Sequence, residues 1–173
     1  MPSPAPLLVI GCGNPSRGDD ALGPELLRRA EALGAPGLEV LEDFQLQIEL
    51  SLDLVGRELV LFVDASVAAA APFEFRRLHP ARDESWSTHA LRPEALLHVF
   101  QVVQRREPPP AYLLAVRGEA FDLGQPLSEA ATRNLAAASA FLARLVGDPR
   151  PEAWQALAAT ATAALTSMFR ARE

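Results

Sequence analysis

The sequence predicts an α/β protein: a three-layer domain in which helices cover both faces of a mostly parallel, five-stranded sheet. Short apolar runs of strand length alternate with longer segments of helical periodicity. The first strand also runs through a glycine-rich turn directly into a helix, an arrangement typical of parallel sheets. The chain has 173 residues, which is enough for one domain with a sizeable core.

Five strands are predicted from apolar runs that end at turn residues. The run at 59–63 is continuously apolar and ends at Asp64, as expected of a strand that is buried on both faces. Residues 73–78 alternate instead, which indicates a half-exposed edge strand. The predicted strands are 7–10, 38–41, 59–63, 73–78 and 112–116.

Helices are expected between these strands. Apolar residues from Leu22 to Leu33 repeat at helical spacing directly after the first turn. Pro93 suits the first position of a helix that runs to about residue 106. Ser128 can cap a later helix, and Gly147 can end it.

The segment from 44 to 54 fits two patterns. Apolar residues at every second position alternate as in a strand, whereas Ile48, Leu52 and Val55, followed by Gly56, fit a helix that stops at a glycine. Because parallel strands need a crossover connection, usually a helix, we predict a helix here.

The last part of the chain predicts one more amphipathic helix, beginning after Pro149 and Pro151. We therefore divide the chain into an α/β domain, residues 1–148, and a C-terminal helical extension, residues 149–173. The helix is expected to dock on its own domain, with a partner contact or a loose attachment as alternatives. Its predicted apolar face consists of Trp154, Leu157, Ala158, Ala161, Leu165, Met168 and Phe169.

Composition excludes several classes of function. The net charge of −6 opposes a nucleic-acid binder that relies on neutralising phosphates. No apolar run approaches the roughly 20 residues of a membrane span, and no basic segment precedes an apolar signal core. We expect a cytoplasmic protein without membrane contact. A single cysteine, Cys12, excludes an intrachain disulfide, and the absence of lysine excludes a P-loop or a Schiff-base lysine.

The first turn, residues 11–24, carries the most specific signal. It reads GCGNPSRGDDALGP and places two carboxylates, Asp19 and Asp20, at a helix start. A dinucleotide-binding loop would need a third glycine where Ser16 stands, and the two acids would repel a pyrophosphate from the helix amides. No serine lies in the Gly-x-Ser-x-Gly elbow of α/β hydrolases.

Asp20, Asp64 and His89 form the best candidate set for chemistry. Each follows a predicted strand or precedes a helix, so a parallel sheet can bring all three to one edge. Two carboxylates and an imidazole suit a divalent first-row metal with open positions for a substrate. Each residue also has a simpler interpretation: Asp20 as a favourable charge at a helix start, Asp64 as a cap of loop amides, His89 as a solvated loop residue.

These blocks, in this order, resemble the hydrogenase maturation proteases, endopeptidases that trim the carboxyl terminus of nickel-iron hydrogenase large subunits. The resemblance covers roughly residues 6–146 and rests on GxGN at 11–14, GDDALG at 18–23, VLFVDA at 60–65 and STHAL at 87–91. Peptidyl-tRNA hydrolases share Gly-x-Gly-Asn-Pro but continue with an Arg-His-Asn segment that is missing here.

The resemblance implies a nickel-dependent, aspartyl-type endopeptidase with a precursor large subunit as its partner. Asp20, Asp64 and His89 match the family's metal-contacting and catalytic positions, and the nickel is thought to be carried by the substrate. Gly13, Asn14, Asp19 and Gln45 are the expected substrate contacts.

One segment departs from the family pattern. Many members have an acidic residue followed by Gly-Gly-Thr after the second strand, where this chain has EDFQL at 42–46. Gln45, Leu46 and Glu49 resemble instead the branch that serves soluble NAD-linked hydrogenases. A non-proteolytic protein that binds the precursor as a checkpoint is the alternative function, since the sequence has no obvious nucleophile.

Overall fold

The computed structural model describes residues 2–83 and 91–171. Within these residues there are five strands and four α-helices, and each of the predicted strands is present. The strands are β1 (Leu7–Cys12), β2 (Leu38–Asp43), β3 (Leu59–Ser66), β4 (Phe73–Leu78) and β5 (Ala111–Arg117). The helices are α1 (Leu22–Ala32), α2 (Pro93–Gln104), α3 (Glu129–Gly147) and α4 (Pro151–Arg170).

The strands form one sheet in the order β2-β1-β3-β5-β4. The pairs β1–β2, β1–β3 and β3–β5 are parallel, and β4 joins the edge antiparallel to β5. The mostly parallel sheet and the edge position of residues 73–78 confirm the sequence prediction.

Two apolar cores lie on opposite faces of the sheet, because successive side chains of a strand point to opposite faces. On one face, β1 and β3 residues such as Val9 and Leu61 pack with α1, α3 and α4. On the other, Ile10 and Phe62 pack with α2 and with residues of the 46–54 segment. The three-layer arrangement predicted from the sequence is therefore confirmed.

The segment predicted as a helix over 44–54 contains a 3₁₀ helix, Ile48–Leu54, and no strand. A 3₁₀ helix repeats every three residues, so Ser51 and Leu54 fall on its buried side while Leu52 is exposed. The prediction of a helix was correct in kind and wrong in its start. A second 3₁₀ turn, Gly18–Ala21, connects the glycine-rich loop to α1.

The first half of α4 packs on the sheet. Trp154 has no exposed surface, and its ring lies 5.5 Å from that of Tyr112 and 6.1 Å from that of Phe75, centroid to centroid. Its indole Nε1 donates to the carbonyls of Leu145 and Asp148 at 3.0 and 3.1 Å. Trp154 thus belongs to the same core as the strands.

The structure also bears on the membrane prediction. Among the helices within residues 2–83 and 91–171, none is both long and apolar enough to cross a bilayer.

Candidate active site

The topology creates a crevice where β1 lies between β2 and β3. The chain leaves β1 toward β2 on one side and returns to β3 on the other, so the connections diverge above the carboxyl ends of these strands. Asp20 lies in the connection that follows β1, and Asp64 lies near the end of β3. The structure therefore brings these two predicted residues to one edge of the sheet.

The loop after β1 is shaped so that its backbone holds the Asp20 carboxylate. The Asn14 N–H donates to Oδ2 of Asp20 at 2.7 Å. Gly13 has a φ of 144°, and a Cβ atom there would lie 2.0 Å from the Asp20 carbonyl oxygen. Only glycine allows this close approach, so Gly13 is required by the path of the backbone.

A cavity of about 190 Å³ opens at this edge. Asp20 and Asp64 are the only charged residues among the described residues that line it, and both are acidic. The remaining wall is mostly apolar, a combination that strengthens the attraction of the carboxylates for a cation. The lining residues are Ile10, Cys12, Gly13, Asp20, Phe44, Gln45, Leu46, Phe62, Val63, Asp64, Leu91, Pro93 and Leu113.

Asp64 differs electrostatically from an ordinary surface carboxylate. The pKa of its carboxyl is raised to about 7. Burial is the main cause and the nearby Asp20 carboxylate adds to it, while the hydrogen bond from the Ala65 N–H, at 2.8 Å from Oδ1, opposes the shift. Near neutral pH the Asp64 carboxyl therefore exists in both its protonated and its ionised form. A cation in the cavity would favour the charged form and replace that proton.

A complete metal site is not formed by the described residues alone. Within 2–83 and 91–171, no group of three or more His, Cys, Asp or Glu side chains could hold a metal ion. His89, the third predicted ligand, lies outside the described residues. The other two predicted ligands, Asp20 and Asp64, both line the cavity.

Cys12 lies in the cavity wall and is buried. Burial and, to a smaller extent, the carboxylates of Asp64, Asp43 and Asp20 together raise the pKa of its thiol to about 12. A thiol reacts as a nucleophile through its thiolate form, so this environment suppresses its reactivity. Cys12, the last residue of β1, packs in the core on the α2 face of the sheet.

We expect Cys12 to resist alkylation in the native protein. Iodoacetamide at pH 8 should label it at least about 100-fold more slowly than a free thiol of pKa 8.5, because the thiolate is scarce and access is poor. Mass spectrometry of the intact protein measures this directly, with the guanidinium-unfolded chain as the control. Rapid stoichiometric labelling without unfolding would contradict the assignment.

Asp19 was predicted to contact substrate, and the structure places it elsewhere. The residue has no exposed surface. Its Oδ2 accepts hydrogen bonds from the N–H groups of Glu119 and Ala120 at 2.8 and 3.0 Å, and from the Ser128 hydroxyl at 2.8 Å. Its Oδ1 accepts from the Ser128 N–H at 2.7 Å. A carboxylate saturated in this way by its own chain is a structural element.

The hydrogen bonds of Asp19 make stability depend on pH. Burial alone would raise the pKa of the carboxyl, but the hydrogen bonds hold that pKa below its ordinary value. The stabilisation is present above the unfolded-state pKa of about 3.9 and is lost as pH falls through the lower folded-state pKa.

We therefore expect the free energy of unfolding to fall below about pH 4 more steeply in the wild type than in Asp19→Asn. Urea titrations at pH 7 and at several values below 4 measure the difference. Asp148→Asn is the matched control, because Asp148 also has a lowered pKa but lies on the surface beside Arg150. Parallel pH profiles for wild type and Asp19→Asn would contradict the prediction.

The other predicted substrate contacts have different surroundings. Gly13 and Gln45 line the cavity, and Asn14 lies beside it with its side-chain oxygen accepting the Ser16 N–H at 2.9 Å. Substrate contact by these residues stays a prediction. Sequence reasoning missed Phe44, Leu91 and Leu113 as cavity-lining residues, because their proximity arises only when distant segments fold together.

Solved structures with the same architecture were found for this chain. It superposes on a NiFe hydrogenase maturation protease, HycI from Thermococcus kodakarensis KOD1, with a TM-score of 0.66 at 21% identity, covering 83% of this chain and 94% of that one. The hydrogenase maturating endopeptidase HybD from Escherichia coli gives 0.60 at 24% identity, with 80% and 91% covered. This chain has the fold of the hydrogenase maturation proteases.

A further structure in this group of folds is hydrogenase 2 maturation peptidase from Thaumarchaeota archaeon SCGC_AB-539-E09. It gives a TM-score of 0.59 at 21% identity and covers 82% of this chain and 97% of that one. No family sequence model and no curated protein sequence matches the chain. The likeness that these solved structures show is therefore one of fold.

Proposed function

We propose that this protein is an endopeptidase of hydrogenase maturation, which removes a carboxyl-terminal extension from a nickel-loaded large-subunit precursor. The observation that carries the proposal is the pair of carboxylates, Asp20 and Asp64, in a mostly apolar cavity at the topological crevice of this fold. The similarity to solved maturation endopeptidases supports the same activity.

The nickel belongs to the substrate in this proposal. Asp20 and Asp64 supply oxygen ligands and His89 supplies an imidazole, a set compatible with a divalent first-row metal. By completing the coordination of a metal already inserted in the precursor, the protein distinguishes loaded from empty large subunits. The cation balances the two adjacent negative charges and removes the proton from Asp64.

The cavity offers a site where a segment of the substrate could bind beside the metal. Its mostly apolar wall includes Phe44 and Leu91 from separate segments, so a peptide that enters is removed from water while its metal meets the carboxylates. Gln45 at the rim offers an amide to the backbone of the substrate. Binding of metal and peptide at the same time is the requirement we infer for cleavage.

The decisive experiment incubates the purified protein with a nickel-loaded large-subunit precursor and follows the precursor by intact mass. A loss of mass at the carboxyl terminus, absent with nickel-free precursor, is expected. An unchanged precursor, under conditions where a known maturation protease cleaves its own precursor, would contradict the proposal. Stable co-purification with an unprocessed precursor would favour the non-proteolytic checkpoint function.

A further inference from the structure

The two adjacent acids before α1, Asp19 and Asp20, lie in different surroundings. Asp19 and Asp20 belong to one 3₁₀ turn, Gly18–Ala21, in which successive side chains point about 120° apart. The Asp20 carboxylate faces the cavity, and the Asp19 carboxylate is buried against the segment from Glu119 to Ser128. One short turn thus joins the candidate site to a segment about 100 residues away in sequence.

Several hydrogen bonds join the loop and turn at residues 16–19 to the segment at residues 119–128. Besides the four bonds to its carboxylate, the Asp19 N–H donates to the Ala120 carbonyl at 2.7 Å. The Gly18 N–H donates to Gln125 at 3.0 Å, and the Gly124 N–H donates to Ser16 at 2.7 Å. Each bond on Asp19 Oδ2 is charge-assisted, which makes it stronger than a neutral pair.

The 3₁₀ turn has little stability of its own. It is four residues long, and its N-cap residue makes no side-chain capping bond. A single turn of this kind does not persist without tertiary contacts. The direction of the Asp20 side chain therefore depends on the contacts that hold the turn. Among the side chains of the turn, the Asp19 carboxylate accepts four of the hydrogen bonds and the Asp20 carboxylate accepts one.

Ser128 links this hold to α3. Its hydroxyl donates to Asp19 Oδ2 and its oxygen accepts the Ala131 N–H at 3.1 Å, so one side chain both caps the helix and binds the acid. The long helix α3 packs in the core through residues such as Leu135 and Leu142. The turn that carries Asp20 is thus connected, through Asp19 and Ser128, to a helix that is packed in the core.

We propose that Asp19 is a positioning residue: through the 3₁₀ turn it aims the Asp20 carboxylate into the cavity, and so sets the turnover of the reaction proposed above. This inference rests on the proposed function for its kinetic consequence. Its geometric consequence, the position of Asp20, is independent of that function.

The test compares Asp19→Asn with Leu142→Ala, a control in the α3 core that lowers stability without touching the site. Both are measured with the full chain at a temperature where both are folded. The Asp19 variant should process precursor with kcat lowered about 10- to 100-fold, the range for residues that orient a metal ligand, and with KM little changed. The control should keep kcat within about twofold.

Amide exchange gives a readout that needs no activity. The Asn14 N–H is bonded to Asp20 Oδ2, so its protection in NMR hydrogen exchange reports where that carboxylate lies. Protection of Asn14 should fall at least about tenfold more in Asp19→Asn than in Leu142→Ala. Ser128→Ala, which removes one bond to Asp19, serves if Asp19→Asn does not fold, and should show the same changes in smaller measure.

The two measurements test the positioning role of Asp19 and its effect on turnover separately. Unchanged Asn14 protection in the Asp19 or Ser128 variant overturns the positioning role, even if kcat falls. Unchanged kcat with lost protection overturns the kinetic part of the proposal. If the wild type does not cleave the precursor, the proposed function fails, and the exchange experiment still decides whether Asp19 positions Asp20.

Discussion

Asp20→Asn is expected to reduce precursor processing at least about 100-fold, the scale seen when a group acting directly on the reacting centre is removed. The amide keeps the size of the carboxylate but loses the negative charge on which the proposed metal contact depends. The fold should be unaffected. Within the described residues the Asp20 carboxylate accepts one hydrogen bond, from the Asn14 N–H, and the side-chain oxygen of asparagine can accept the same bond. Intact-mass kinetics and circular dichroism measure the two effects.

Asp64→Asn and His89→Ala are expected to give the same loss. The matched control is Glu31→Gln, which removes a carboxylate from the exposed side of α1 away from the cavity and should keep full activity. A variant at position 20, 64 or 89 that processes precursor at the wild-type rate would remove that residue from the site. Loss of activity in Glu31→Gln as well would indicate a general charge effect.

Trp154→Ala is expected to lower the free energy of unfolding by about 3–5 kcal/mol, the cost of removing a buried tryptophan from a core. The side chain has no exposed surface, contacts the rings of Phe75 and Tyr112, and its indole N–H satisfies two carbonyls at the end of α3. Urea denaturation monitored by circular dichroism measures the loss.

Met168→Ala on the same helix provides the control. Met168 is 63% exposed, so its replacement should change stability by no more than about 0.5 kcal/mol. Truncation after Asp148 should destabilise the domain at least as much as Trp154→Ala, because it removes that side chain together with the buried Ala158. If the truncated chain unfolds at the same urea concentration as the full chain, α4 contributes nothing to the core.

Much of the fold follows from local sequence pattern. Continuous or alternating apolar runs predicted each strand that the structure describes, and Pro93 and Ser128 marked two helix starts that it contains. These signals depend on periodicity and on backbone preferences, which act within a few residues. The start of the 48–54 helix was missed because alternation at 44–54 fits a strand or a helix, and tertiary burial of Ser51 and Leu54 decides between them.

Part of the candidate site could also be predicted from local sequence patterns. The glycine-rich turn and the strand that ends near Asp64 are local patterns, and the rule that parallel strands end at one edge brings their acids together. The resemblance to maturation proteases assigned the same residues. The apolar wall from Phe44, Leu91 and Leu113 could not be predicted, since it joins segments that are distant in sequence.

By itself, then, the sequence determined an α/β sheet with an acidic turn after its first strand and named Asp20 and Asp64. Only the tertiary structure decided that Asp19, identical in chemistry and adjacent in sequence to Asp20, is a buried structural acid. The physical reason is that a carboxylate's role depends on its hydrogen-bond donors and its solvent. The donors to Asp19 lie at Glu119, Ala120 and Ser128, where no local pattern connects them to the turn.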